Sequence, residues 1–251
     1  GEMIINKPLL RRQLLKIMVP TEQVLSMVMH VSNTLHRAEQ GDEEAKLQNR
    51  ILTALLKFRA CRDNITVATG ALEVRGGNGF IEDWVNSRLV RDAHTGLLWE
   101  GTSNINALDV TTRAIAKAGA HEALAEDLKG RLASTDGVPG QYAGELSGLI
   151  DRAVKFADEI AATGNEIKAR QASNALYHAT SATLLATEGA TLGRAGGDAR
   201  RMLLSRLVVD TRLRAVDPLT NSDGSFEIEA GNYLLSDAPV PLDVATDLLR
   251  L

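Results

Sequence analysis

The stretch LRRQLLKIMVPTEQVLSMVMHVSNTL, residues 10–35, decides the fold class. Its apolar residues recur at spacings of three and four, the period of a helix that buries one face. They are Leu10, Leu14, Ile17, Met18, Val24, Leu25, Val28 and Leu35. Pro20 interrupts the stretch, and proline removes a backbone donor and clashes with the preceding turn. Because the apolar stripe keeps its phase across Pro20, the pattern favours one kinked helix over two joined helices.

Helical periodicity continues through most of the chain. A turn at Gly41-Asp42 precedes a helix expected from Glu43 to Leu72, which the glycine pair at 76–77 terminates. Further helices are expected at 86–94, 102–115, 121–134, 141–162, 166–188 and 198–214, with Asp198 as the N-cap of the last. The tail 217–241 is expected to be mostly loop, with a short strand at 225–229. The sequence therefore predicts an all-α helical bundle.

Composition and charge narrow the function classes. With 44% apolar and 24% charged residues, the 251-residue chain has the profile of a folded protein. Its net charge is -4, and residues 116–251 carry 14 basic and 19 acidic residues, a net charge of -5. Nothing in this balance attracts nucleic acid or an anionic membrane surface. Association with nucleic acid is therefore disfavoured.

The cysteine content and the lengths of the apolar runs indicate the cellular compartment, and the histidine spacing indicates whether a metal site is expected. Cys61 is the only cysteine, which excludes an internal disulfide and favours a reducing compartment. No apolar run approaches the roughly 20 residues that cross a bilayer, so we expect a cytoplasmic protein without a membrane contact. The five histidines show no metal-ligand spacing, and no metal site is expected.

The chemistry is expected in one segment of about thirty residues. It contains EVRGGNGF (73–80), RLVRDA (88–93) and WEGTSNI (99–105). Glycines at 76, 77 and 79 leave backbone amides bare, and such turns can approach a phosphate closely. A glycine pair after a helix is more often only a C-cap, and a lone glutamate before a helix start is usually a solvated carboxylate. The combination of the three motifs is what carries information.

That combination resembles the C-terminal helical domain of the acyl-CoA dehydrogenase family. The family has a Gly-Gly-x-Gly-aromatic turn, an Arg-Asp-Ala segment and an aromatic-Glu-Gly-Thr signature in this order and at this spacing. The resemblance covers residues 1–118, from Gly1 to Ala118, and residues 119–251 resemble the helical extension of some larger members. It implies that domains preceding this chain's match are part of the complete enzyme, and that this piece alone is inactive.

The resemblance implies roles for six residues. Glu100 matches the base that removes the α proton of an acyl-CoA thioester while the β hydrogen leaves as hydride to FAD. Thr102 and Asn104 match flavin-contacting positions, whereas Glu73, Gly76 and Gly77 match a turn that meets FAD of a neighbouring subunit. The resemblance therefore implies a homo-oligomer, a dimer or tetramer, that passes electrons to an acceptor flavoprotein.

Two departures from the family pattern keep alternatives open. Glu73 stands where many members have glutamine, and Trp99 stands where tyrosine or isoleucine is common. Both are features of the AidB-like subgroup of adaptive-response flavoproteins. An AidB-like protein associated with nucleic acid or the stress response, and a non-catalytic oligomerisation module, are the alternatives to a dehydrogenase.

Overall fold

The computed structural model describes residues 3–215, 217, 219 and 224–250, so Gly1 and Leu251, the outer ends of the two expected domains, lie outside the described residues. A short 3₁₀ turn, Ile4–Asn6, leads into α1, Pro8–Glu39, and α2, Glu43–Val74. The helices that follow are α3 (Gly77–Phe80), α4 (Asn86–Leu98), α5 (Ser103–Asp109), α6 (Ala120–Ser134), α7 (Gly140–Thr163), α8 (Glu166–Arg194), α9 (Arg200–Val208), α10 (Ser225–Leu234) and α11 (Leu242–Leu249). The all-α prediction is confirmed, since the described residues contain no strand.

The first two helices form a long pair. α1 runs without a break through the buried Pro20, which confirms one helix rather than two. At its end the Asp42 side chain accepts from the Ala45 amide at 3.0 Å and starts α2 as its N-cap. Arg37 also donates to Asp42 at 2.6 Å, which fixes the turn between the helices.

The long helix α8 lies at the centre of the second part of the chain. Residues 172–187 of α8 are buried almost without interruption, and most of them are alanine, serine, threonine or leucine. A helix buried on all sides must approach its neighbours closely, and small side chains allow this. At Gly189 the approach is so close that a Cβ atom would lie 2.6 Å from the Met202 amide nitrogen of α9.

One apolar core joins the two parts of the chain. The same cluster of buried residues contains Leu15 and Leu52 from the first part and Leu185 and Val208 from the second. The division at residue 118 marks where the resemblance to the family's C-terminal domain ends. The buried core continues across this point, so the division into two domains stays a prediction.

Three expectations for the C-terminal part need correction. The strand expected at 225–229 is wrong, because Ser225–Leu234 is helix α10, which packs on α1 through contacts such as that of Arg11 with Asn232. The loop expected for 217–241 is therefore also wrong over that span. Asp198 lies one residue before the N-cap of α9, which is Ala199; its carboxylate accepts from the Arg200 and Val240 amides, both at 2.9 Å.

Two π-helical segments extend α5 and α9. Val110–Ile115 follows α5 and Val209–Leu213 follows α9, and both pack against α8. π segments are rare and are frequent at functional sites.

Candidate active site

Glu100 lies in the turn between α4 and α5 in an unusual backbone conformation. Its φ is +51°, and it is the only non-glycine residue with a positive φ among the residues that the structure describes. Gly101 follows with φ +101°, and Thr102 is the N-cap of α5. A left-handed conformation at a residue with a side chain costs on the order of 1 kcal/mol and must be held by its surroundings.

Asn106 holds this turn in place. Its side-chain amide donates to the Gly101 carbonyl at 2.8 Å and to the Thr102 carbonyl at 3.0 Å. Arg62 of α2 donates to the buried Ser103 hydroxyl at 3.1 Å and fixes the start of α5. Sequence reasoning missed Asn106, although an asparagine one helical turn after a Gly-Thr pair is a recognisable signal.

The Glu100 carboxylate itself faces outward. Its side chain is exposed, and no hydrogen bond or ion pair holds it within the described part of the chain. Thr102 and Asn104 are exposed beside it on the first turn of α5. These three predicted site residues therefore share one open surface.

The glycine turn after α2 is the second predicted part of the site. Gly76 has φ +59° and ψ -140°, a conformation that glycine alone adopts readily. A Cβ at Gly79 would lie 2.1 Å from the Leu72 carbonyl oxygen, so the turn also needs glycine there. By contrast, nothing lies within 4 Å of a Cβ built on Gly76 or Gly77, and the space above them is open.

Glu73 lies at the edge of this glycine turn. It is exposed, and Gln13 of α1 donates to its carboxylate at 3.3 Å. No hydrogen bond or ion pair between described residues joins this turn to the Glu100 turn. Arg62, which touches the start of α5, lies eleven residues before Glu73 on α2, about 16 Å along the helix axis. The predicted site residues thus form two separate groups.

Large apolar side chains surround both groups and are open to solvent. The exposed ones are Phe80, Ile81, Trp84, Val85, Leu89, Leu98, Trp99 and Ile105. Trp99 precedes Glu100 and is 65% exposed, and Phe80 ends the glycine turn with 76% exposed. A concentration of large exposed apolar side chains in one stretch of the chain, here residues 80–105, is typical of a region that binds a ligand or another protein surface.

Charged groups organise this surface. Arg91 of α4 donates to the Glu82 carboxylate at 2.7 Å, and this hydrogen bond lowers the pKa of Glu82. Burial lowers the pKa of Arg62, and the nearby cations Arg170 and Arg59 lower it further.

Among the described residues, no group of three or more His, Cys, Asp or Glu side chains could hold a metal ion. None of the described helices is both long and apolar enough to cross a membrane.

Comparison with known proteins connects this geometry to a family. Residues 1–115 match the family model described as acyl-CoA dehydrogenase, C-terminal domain. This stretch, slightly less than half of the 251 residues, is similar to the C-terminal domain of the acyl-CoA dehydrogenase family. AidB of Escherichia coli is 29% identical over 126 residues, which are 50% of this chain and 23% of AidB. The 3-methylmercaptopropionyl-CoA dehydrogenase of Ruegeria pomeroyi is 32% identical over 124 residues, 48% of this chain and 21% of that enzyme.

A crystal structure extends the likeness to almost the whole chain. Caenorhabditis elegans ACDH-11, in complex with C11-CoA, superposes with a TM-score of 0.73 over 94% of this chain and 41% of its own, at 20% identity. This likeness shows the fold, including that of the helical extension. The chain spans about a fifth of the length of the curated relatives it matches.

Proposed function

We propose that this chain is the C-terminal part of an FAD-dependent acyl-CoA dehydrogenase in which Glu100 is the catalytic base. The reaction removes the α proton of an acyl-CoA thioester and transfers the β hydrogen as hydride to the flavin, giving the 2,3-enoyl-CoA. The observation that carries the proposal is the strained backbone of Glu100, which has a positive φ. The side chain of Glu100 is exposed to solvent, next to exposed apolar side chains. Strain of this kind collects at functional sites.

The apolar surroundings suit the chemistry of a base. A carboxylate accepts a proton from a weak carbon acid only if its pKa rises toward neutrality, and loss of water around it causes that rise. Trp99 and Ile105 flank Glu100 with exposed apolar surface. Acyl-CoA and the rest of the enzyme would cover this surface and exclude water from it, the environment in which a carboxylate can act as a general base.

The residues present fit part of an FAD molecule. FAD would supply the hydride acceptor, and the exposed Thr102 hydroxyl and Asn104 amide offer hydrogen bonds near Glu100. The open space above Gly76 and Gly77 admits a second FAD contact, and the Glu73 carboxylate suits a hydroxyl or amino group rather than a phosphate. Because the two groups are separate, they support our proposal that each serves a different FAD in a homo-oligomer.

An AidB-like role is the second candidate. It is favoured by the 29% identity to AidB and by Trp99 and Glu73, the two residues that carry the resemblance to this subgroup. In that case the flavin site is kept and the acyl-CoA reaction is not the main activity. We favour the dehydrogenase because the geometry of the Glu100 turn is maintained at an energetic cost.

Replacement of Glu100 in the intact parent enzyme tests the proposal. Glu100→Gln keeps the size of the side chain and removes its basicity, so flavin reduction by acyl-CoA should slow by about 10²–10⁴ with FAD content unchanged. Stopped-flow bleaching of the flavin measures this rate. Glu39→Gln, which removes an exposed carboxylate at the end of α1, is the matched control and should react like the wild type.

A second substitution separates catalysis from structure. Glu100→Gly relieves the positive φ, so it should raise the melting temperature slightly while abolishing flavin reduction. Wild-type reduction rates in Glu100→Gln would place the base elsewhere. Loss of FAD together with a lower melting temperature in both variants would make Glu100 a structural residue.

A further inference from the structure

A groove in the C-terminal part shares no lining residue with the proposed active site around Glu100. It lies between α7, α8 and the π segment Val209–Leu213, and its volume is about 490 Å³. Leu149 and Phe156 of α7 and Leu213 of the π segment provide apolar lining. Arg152 and Lys155 of α7 and Arg212 of the π segment bring three positive charges to the same groove.

These three cations have no protein partner. Within the described part of the chain, none of the side chains of Arg152, Lys155 and Arg212 makes a hydrogen bond or an ion pair, although most arginine side chains do. Glu159 is the one acidic residue that lines the groove, which leaves an excess of two positive charges. Like charges gathered on an apolar surface repel one another, so an anion that reaches all three is stabilised.

A second groove shows what a structural arrangement of cations looks like. It lies between α1 and α10, has a volume of about 230 Å³ and is lined by Arg11 and Arg12. There, Arg11 donates to Asn232 at 2.8 Å and Arg12 pairs with Glu227 at 3.1 Å. Those arginines tie α1 to α10, whereas the cations of the α7–α8 groove tie nothing together.

Two further features prepare the α7–α8 groove for an anion. Asn174 lines the groove, and its side-chain oxygen Oδ1 accepts from Arg59 at 2.9 Å, which leaves the side-chain NH₂ group of Asn174 as an available donor. The π segment inserts an extra residue into the helical turn at the place where Arg212 and Leu213 line the groove. Such insertions are frequent at functional sites.

We infer that this groove binds a small amphiphile with one anionic headgroup and a short apolar tail, of the class of a medium-chain carboxylate. Arg152, Lys155 and Arg212 bind the headgroup, and the apolar surface between α7 and α8 holds the tail. The volume lies within the range of about 300–1,000 Å³ that is usual for small-molecule sites. A polymer such as duplex DNA needs a longer row of cations than this groove offers.

Calorimetric titration of the 251-residue chain with decanoate tests the inference. Decanoate should bind at one site, while decanol, which lacks the charge, and decyltrimethylammonium, which reverses it, should bind at least about tenfold more weakly. Decyl phosphate in place of decanoate distinguishes a preference for a phosphate headgroup from a preference for a carboxylate. Equal binding of decanoate and decanol would overturn the role of the three cations, and absence of binding at millimolar decanoate would overturn the site.

Variants locate the binding in the groove. The double variant Arg152→Gln and Arg212→Gln should weaken decanoate binding at least about tenfold, because two charge-assisted hydrogen bonds are lost. Ala175→Phe keeps the cations but fills the groove from the α8 side, and it should weaken decanoate and decanol alike. Lys16→Gln removes an exposed cation on α1 and should leave binding unchanged.

Circular dichroism of each variant shows whether it is folded. If Ala175→Phe does not fold, Ala175→Leu provides a smaller obstruction for the same measurement. Unchanged decanoate affinity in folded Arg152→Gln, Arg212→Gln would place the ligand elsewhere and overturn the inference. Binding of a duplex oligonucleotide that is lost in the same variant would overturn it in favour of a nucleic-acid site.

Discussion

The two parts of the chain differ in what they leave uncovered. Of the 20 large apolar residues that are exposed among the described residues, 16 lie before residue 119 and four lie after it. The first part shows them on α1, around the glycine turn and around Glu100. The second part buries most of its large apolar residues, many of them around α8. The first part therefore leaves far more apolar surface open to solvent than the second part does.

A substitution at the close contact between α8 and α9 should have the largest effect on the free energy of unfolding. Gly189→Ala places a Cβ 2.6 Å from the Met202 amide nitrogen, so α8 and α9 must move apart. We expect a loss of about 1–3 kcal/mol in the free energy of unfolding. Thermal or urea unfolding measures it. Gly148→Ala, in the exposed face of α7 with nothing within 4 Å, is the matched control and should stabilise by about 0.5–1 kcal/mol. Equal behaviour of the two variants would contradict the central role of α8.

A buried polar contact between the two parts gives a smaller, pH-dependent effect. Gln23 of α1 donates to His178 Nδ1 of α8 at 3.1 Å. Burial lowers the pKa of His178 well below its usual value, and the cations Arg59 and Arg212 lower it further. In the unfolded chain His178 binds a proton near pH 6.5, whereas in the folded chain it stays neutral at that pH. The free energy of unfolding therefore falls as the pH drops below about 6.5.

Substitution of His178 tests this linkage. His178→Asn keeps an acceptor for Gln23 and removes the titration, so the loss of stability between pH 6.5 and 5.5 should shrink by at most about 1.4 kcal/mol. Urea unfolding at each pH provides the measurement. His36→Asn changes an exposed histidine and should keep the wild-type profile. A His178→Asn profile that matches the wild type would show that another group causes the acid sensitivity.

Local signals in the sequence predicted the long helices but not the C-terminal tail. Asp42 and the glycine pair at 76–77 mark helix ends by their own chemistry, and both ends were found within a few residues. The segment 225–229, Ser-Phe-Glu-Ile-Glu, alternates apolar and polar residues as a strand does. It nevertheless folds as part of α10, which packs on α1 through contacts such as that of Arg11 with Asn232, 221 residues apart. Such a tertiary contact has no local signal.

The candidate site was only partly predictable for a similar reason. The motifs located the Glu100 turn and the glycine turn, whose shapes depend on neighbouring residues. They did not show the φ of +51° at Glu100 or the role of Asn106, because both depend on how α5 begins against Arg62. The groove between α7 and α8 joins segments about 60 residues apart and has no motif at all.

The open first part predicts that this chain alone does not retain flavin. Both groups of proposed FAD contacts are exposed, and neither is enclosed by other described residues. The purified 251-residue chain should be helical by circular dichroism and colourless, whereas the intact parent should show the visible absorption of bound flavin. Flavin absorption in this chain, purified without added FAD, would show that it encloses a cofactor without further domains.

The smallest expected effect is the binding of duplex DNA, which separates the dehydrogenase from the AidB-like candidate. Affinity for DNA comes mainly from basic residues that neutralise phosphates, and residues 116–251 carry a net charge of -5. The first part adds a net charge of only +1, and most of its arginines pair with carboxylates, as Arg50 does with Asp109 at 2.8 Å. Fluorescence anisotropy with a labelled duplex should therefore give a dissociation constant no tighter than about 1 µM at physiological salt. A sub-micromolar constant that weakens steeply with added salt would mean that local cations outweigh the net charge, and it would favour the AidB-like role.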